Sequence, residues 1–115
     1  ATVSSGVGTV GSFSVSGALV TVNPTGVEDV QRITITRVNV NDGTNSGDVL
    51  VPMALLLGDT NGSGAVSAAD VAQTKGQSGQ TTTAANFRND VNTSGGISAS
   101  GVAQVKIKSG NVLPP

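Results

Sequence analysis

Cysteine and histidine are both missing from this chain. Their absence excludes disulfide staples, zinc or haem held by the usual ligands, and any Ser-His-Asp nucleophile. Tryptophan and tyrosine are missing too, and the only aromatics are Phe13 and Phe87. There is therefore no platform on which bases or sugar rings could stack. Charge is sparse, with 11% charged residues and a net charge of −1. Lys75, Arg88, Lys106 and Lys108 are scattered, so no basic surface for nucleic acid forms. No apolar run is long enough to cross a bilayer, which argues against membrane insertion. The sequence opens at Ala1 without a charged segment followed by an apolar one, so it reads as a mature product or an excised fragment rather than a precursor.

What is present is small and polar. Gly, Ser, Thr, Val, Ala and Asn dominate the 115 residues, a length suited to one ordinary domain or two small ones. Any core must be assembled from Val, Ile, Leu and Ala, and it will be thin. Such a core calls for outside help from a metal, a partner chain, or both. The Thr/Ser/Asn/Gly bias, with few Lys and Glu, resembles secreted bacterial surface proteins and sets the expectation of an extracellular, cell-surface location.

Residues 1–56 read as β. Alternation in Phe13–Val15 and Leu19–Val22 ends at the turn signal Asn23-Pro24-Thr25-Gly26. Val30–Val40 is the best strand, and its alternation slips by one between Ile35 and Val38, which predicts a bulge near Thr36-Arg37. Asn41–Gly47 is a loop. Val49–Met53 is a further strand, placed at a sheet edge by Pro52. Four or five short antiparallel strands predict a β-sandwich, yet an immunoglobulin-like domain needs about seven strands and about 100 residues. The sandwich is incomplete. Its apolar face must be covered by the rest of the chain or by a strand from another chain, for instance a terminal segment such as Ala1–Val10 of a neighbouring subunit.

Residues 57–115 change character and contain an internal repeat. Asp59, Asn61, Ser63, Gly64, Ala65, Ser67 and Asp70 recur as Asp90, Asn92, Ser94, Gly95, Gly96, Ser98 and Gly101. Each set precedes a short helical segment ending near Lys75 or Lys106. A calcium loop needs hard oxygens at positions 1, 3 and 5, a carbonyl at 7, a water or side chain at 9, a carboxylate at 12, and glycine at 6, where the chain turns. The first copy fills every slot: Asp59, Asn61, Ser63, the Ala65 carbonyl, Ser67 and Asp70. The second offers Asp90, Asn92, Ser94, the Gly96 carbonyl and Ser98, but Gly101 stands at position 12. One carboxylate instead of two weakens a site. The first loop is expected to bind Ca2+ strongly and the second weakly. The plainer alternative is that Asp-x-Asn-x-Ser-Gly simply builds Asx turns. Val66 and Ile97, at position 8, are expected to pin the two loops together by a short β contact, and Phe87 to pack between the helices.

Residues 58–113 resemble a type I dockerin, a family with two loop-helix repeats separated by a connector and an opening Gly-Asp-x-Asn-Gly. Gly58-Asp59-Thr60-Asn61-Gly62 matches that opening. The resemblance implies secretion, calcium-dependent folding and docking to a cohesin-like protein partner. It implies partner contacts at loop positions 10 and 11 and on the helix beyond, here Ala68, Ala69 and Lys75, and Ala99, Ser100 and Lys106. Many members carry Ser-Thr and Lys-Arg at these places, and this chain departs from that pattern. The β half resembles the C-terminal half of immunoglobulin-like domains that precede dockerin-like repeats in bacterial surface proteins.

Glu28, Asp29 and Asp42 fall in turns, and a catalytic carboxylate pair would need a cleft. Enzymatic activity is not expected. The sequence therefore predicts an α+β chain in which half a β-sandwich precedes a dockerin-like pair of calcium loop-helix repeats. Its expected role is non-catalytic, as a secreted module of protein assembly. The alternative is a filament subunit joined to identical neighbours by strand complementation, a possible homopolymer.

Overall fold

The computed structural model describes all 115 residues. The chain is a mixed α+β protein with antiparallel sheets and two α-helices. It divides into two compact units, Ala1–Leu55 with Pro114, and Leu56–Leu113 with Pro115.

The first unit has five strands: β1 (Thr2–Ser5), β2 (Thr9–Ser16), β3 (Leu19–Thr25), β4 (Gln31–Asn41) and β5 (Ser46–Leu55). One sheet has the order β1-β4-β5, and β2 and β3 form a separate two-stranded sheet. All pairings are antiparallel. Period-two alternation puts Ile33, Ile35 and Arg37 of β4 opposite Met53, Val51 and Val49 of β5 on one face. Thr34 and Thr36 fall on the other. Pro52 does lie in an edge strand. The register slips between Arg37 and Val40, slightly beyond the expected place, and Asn39 there adopts φ 55°. Asn tolerates the left-handed region better than the flanking valines, so the irregularity settles on it.

Polar side chains close the turns of this unit. Gln31 is buried, and its amide accepts from Val7 N at 2.6 Å and donates to Val7 O and Glu28 O at 2.9 and 2.8 Å. In the β4–β5 loop the Asp42 carboxylate accepts from Thr44 N and Asn45 N at 2.9 and 2.7 Å. These backbone bonds hold the Asp42 carboxyl below its ordinary range. Residues 1–10, proposed from sequence as a donor to a neighbour, are spent within their own unit. Val3 pairs with Ile35, and Thr9 and Val10 pair with Thr25 and Pro24.

The second unit contains α1 (Ala68–Gly76), a 3-10 turn (Phe87–Asn89) and α2 (Ala99–Lys108). Its apolar core is Val66, Ile97 and Val105, with Thr74 and Asp70 equally buried beside them. Three aliphatic side chains contribute about 1.5–3 kcal/mol each on burial, a small sum for a unit of this size. Phe87 is 58% exposed, contrary to expectation. The 3-10 turn buries Asn89 instead, whose carboxamide accepts from the Thr74 hydroxyl at 3.3 Å.

Candidate metal centre

Each loop winds around the carboxylate that opens it. In the first, Ser63 N and Gly64 N donate to Asp59 Oδ1 and Oδ2 at 2.9 and 2.8 Å. Ser63 N also donates to Asn61 Oδ1 at 2.9 Å, and Ser63 Oγ to the Ala65 carbonyl at 3.0 Å. The oxygens of Asp59, Asn61, Ser63 and Ala65 are thus drawn to one side of a tight turn. The turn requires φ +85° at Gly64, a value that an L side chain adopts only under strain. The second loop repeats the arrangement. Ser94 N and Gly95 N donate to Asp90 Oδ1 and Oδ2 at 3.0 and 2.9 Å, and Ser94 Oγ donates to the Gly96 carbonyl at 2.9 Å. Gly95 also has φ +85°. The Asx turns of the plainer alternative are formed, and they present the oxygens that a calcium loop would use.

The loops differ where they close. Asp70 is fully buried. Its Oδ2 accepts from Ser67 N and Ser67 Oγ at 2.8 and 3.1 Å, and its Oδ1 accepts from Asn61 N at 3.2 Å. With Ser67 as N-cap these contacts form a capping box for α1. Burial pushes the Asp70 carboxyl up, but the donors from Ser67, Asn61 and Thr60 outweigh it and leave the group below its ordinary range. At the matching position Gly101 supplies nothing, and Ser98 makes no side-chain cap. A Cβ at Gly101 would meet Val91 and the Asn89 carbonyl at 3.8 and 3.9 Å, ordinary van der Waals contact. Ser100, absent from the first loop's pattern, bonds Ser98 Oγ at 2.8 Å and receives Asn92 Nδ2 at 3.1 Å. The Thr82 hydroxyl donates to Asp90 Oδ2 at 2.8 Å. That bond comes first, ahead of opposing burial and the Gly95 and Ser94 amides, in holding Asp90 below its ordinary range.

Position 8 departs from the expected β contact between loops. Val66 N donates to Asn111 O and Val66 O accepts from Gly110 N, both at 2.9 Å. Ile97 N donates to Gln80 O at 2.9 Å and Ile97 O accepts from Gly79 N at 2.7 Å. Leu113 N to Gly64 O and Thr82 N to Gly95 O complete the same pattern. Each loop is therefore paired with the segment that leaves the opposite helix, as an isolated bridge, Ala65 with Val112 and Thr81 with Gly96. The two halves are related by a reciprocal exchange. The physical reason is that both helices are short and each exit segment has unpaired backbone groups that must be satisfied.

The donor set is made of hard oxygens, with two carboxylates in the first loop and one in the second. No group of three or more His, Cys, Asp or Glu that could hold a metal ion occurs. Asn92 Oδ1 is buried without a hydrogen-bond partner. An orphaned carboxamide oxygen at position 3 of the loop is the kind of acceptor a hard cation satisfies. The residues fit such an ion. The six positions expected to meet a partner, Ala68, Ala69, Lys75, Ala99, Ser100 and Lys106, are all exposed. Sequence patterns did not single out Thr60, Thr82 or Asn89. None lies at a repeat position shared by both loops, and that is why the repeat conceals them. No family model, curated protein or solved structure matches the chain.

Proposed function

We propose that the chain is a non-catalytic, calcium-stabilised module of extracellular protein assembly. In this reading Ca2+ is held by Asp59, Asn61, Ser63, the Ala65 carbonyl, Ser67 and Asp70, and more weakly by Asp90, Asn92, Ser94, the Gly96 carbonyl and Ser98. The reading is supported most by the convergence of oxygens around two glycine turns of equal φ, repeated in one unit. The ion would supply charge neutralisation of Asp59 and Asp70 and a fixed geometry for the loop. The chain's own part is to keep the loop closed through Asp70 and the Val66–Asn111 pairing, so that α1 and α2 present Ala68, Ala69, Lys75, Ala99, Ser100 and Lys106 on preformed helices. The dockerin resemblance makes a cohesin-like domain the first partner class to test. Calcium titration by calorimetry on the full chain and on Asp59→Asn checks the reading. Loss of the stronger site in the variant supports it, and equal heats from both proteins would remove the first loop as the site.

A second reading, a subunit of an extracellular filament completed by strands from neighbours, is favoured by one observation. The β unit buries only Ile33 and Ile35 among its large apolar side chains and leaves the rest of that face open.

A further inference from the structure

The β unit has its apolar residues on two sheets that do not close over one another. Between them runs a groove of about 420 Å³ lined by Val20, Val22, Ile35, Val49, Val51 and Met53, with Arg37 among them. Val20 is 37% exposed and Val49 and Val51 are each 45% exposed. β5 forms one margin of this groove, and it is an edge strand paired only with β4, so its other side offers unpaired backbone donors and acceptors. Arg37 is the single charge in the groove. Its guanidinium carbon lies 5.3 Å from the centroid of the Phe13 ring, and its Nε is buried with no hydrogen-bond partner. A buried, unpaired guanidinium N–H in an apolar trough is costly unless something brings an oxygen to it.

We propose that this groove receives one extended strand of a partner polypeptide, apolar at alternate positions and carrying a carboxylate opposite Arg37. Backbone pairing to β5 supplies the register. The alternate apolar side chains fill the trough between Val20 and Val51. The carboxylate accepts from Arg37 Nε, and this fixes which residue of the incoming strand sits where. The inference rests on the reading of the β unit as an incomplete sandwich. It adds the chemistry of the missing strand.

The test uses the full, calcium-loaded chain and synthetic peptides of about nine residues, a common strand length. They alternate Val and Thr, with Glu, Gln or Lys at the central inward position. Fluorescence anisotropy should show the Glu peptide binding at least about tenfold more tightly than the Lys peptide, with Gln between them. Arg37→Glu should invert that order. Val51→Lys, at an exposed position whose fold is checked by circular dichroism, should abolish binding of every peptide. If all three peptides bind wild type equally, the strand-addition reading stands and the role of Arg37 is overturned. If none binds, both fail. If the chain alone sediments as a dimer that Val51→Lys dissociates, a second copy occupies the groove and the proposal is overturned.

Discussion

Thr93 holds φ 53°, in the left-handed region, at the loop position where the first repeat has Gly62 with φ 75°. A β-branched residue there costs about 1–2 kcal/mol. Asn tolerates that conformation, so Thr93→Asn should stabilise the helical unit by about 1 kcal/mol in thermal melts. An unchanged or lowered midpoint would show that the strain is relieved in solution. Asp70 makes the opposite case. Without calcium, Asp70→Ala leaves the amides of Asn61 and Ser67 without their acceptor, and the loss should be about 1–3 kcal/mol. The sign of its pH dependence follows from its lowered folded-state value. The unfolded chain takes up the proton first as pH falls. The contribution of Asp70 is therefore complete above its unfolded value, near 3.8, and disappears as pH falls through the folded one. Acid titration of calcium-free protein should show a stability loss in that window that is smaller in Asp70→Asn, the remainder belonging to Asp42 and Asp90. Gly101→Asp tests the asymmetry between loops. A Cβ there makes ordinary contacts, and a carboxylate would stand three residues after Ser98 as Asp70 stands after Ser67. Calcium affinity at the second loop should rise about tenfold or more. Gly101→Ala should gain only the helix preference of Ala over Gly, about 1 kcal/mol. A calcium gain from alanine as large as that from aspartate would contradict the assignment of position 12.

At the scale of elements, the exchange of exit segments between repeats has a consequence for binding. Loop one is closed by residues 110–113 and loop two by residues 79–82. Deleting Gly110–Pro115 should weaken the first calcium site by about tenfold, because the loop loses its preorganising pairing, and should spare the second. Calorimetry on the truncated chain reads both sites, and equal weakening of the two would refute the exchange. Much of the chain is legible in the sequence: the glycine at position 6, the oxygen side chains of each loop and the alternation of β4 are local patterns with local causes. What could not be read is which backbone edge each loop pairs with. Val66 and Ile97 look equally suited to one another, and the choice of Asn111 and Gln80 is made by unpaired exit segments that have no side-chain signature. Phe87 runs against its aromatic character: it stays 58% exposed, and the 3-10 turn that carries it buries Asn89 instead. In the β unit the open groove was legible as a shortage of strands, while the position of Arg37 within it was not.

At the scale of the molecule, the chain has few large side chains to exclude water with. Five apolar residues are buried: Ile33 and Ile35 in the β unit, and Val66, Ile97 and Val105 in the helical one. The helical unit spends its polar residues on closing loops, and a cation held by those loops would couple both helices at once, since each loop is tied to the segment leaving the other helix. A ligand that binds only the folded form stabilises it by about 2.7 kcal/mol at one hundred times its dissociation constant. For a unit of this size that corresponds to about 10–20 °C in midpoint. The most direct measurement is the thermal unfolding of the helical signal in chelator and in about 1–10 mM calcium, for the wild-type chain and for Asp59→Asn. The account predicts a rise of that order in the wild type and most of it lost in the variant. Superimposable melts with and without calcium would contradict it.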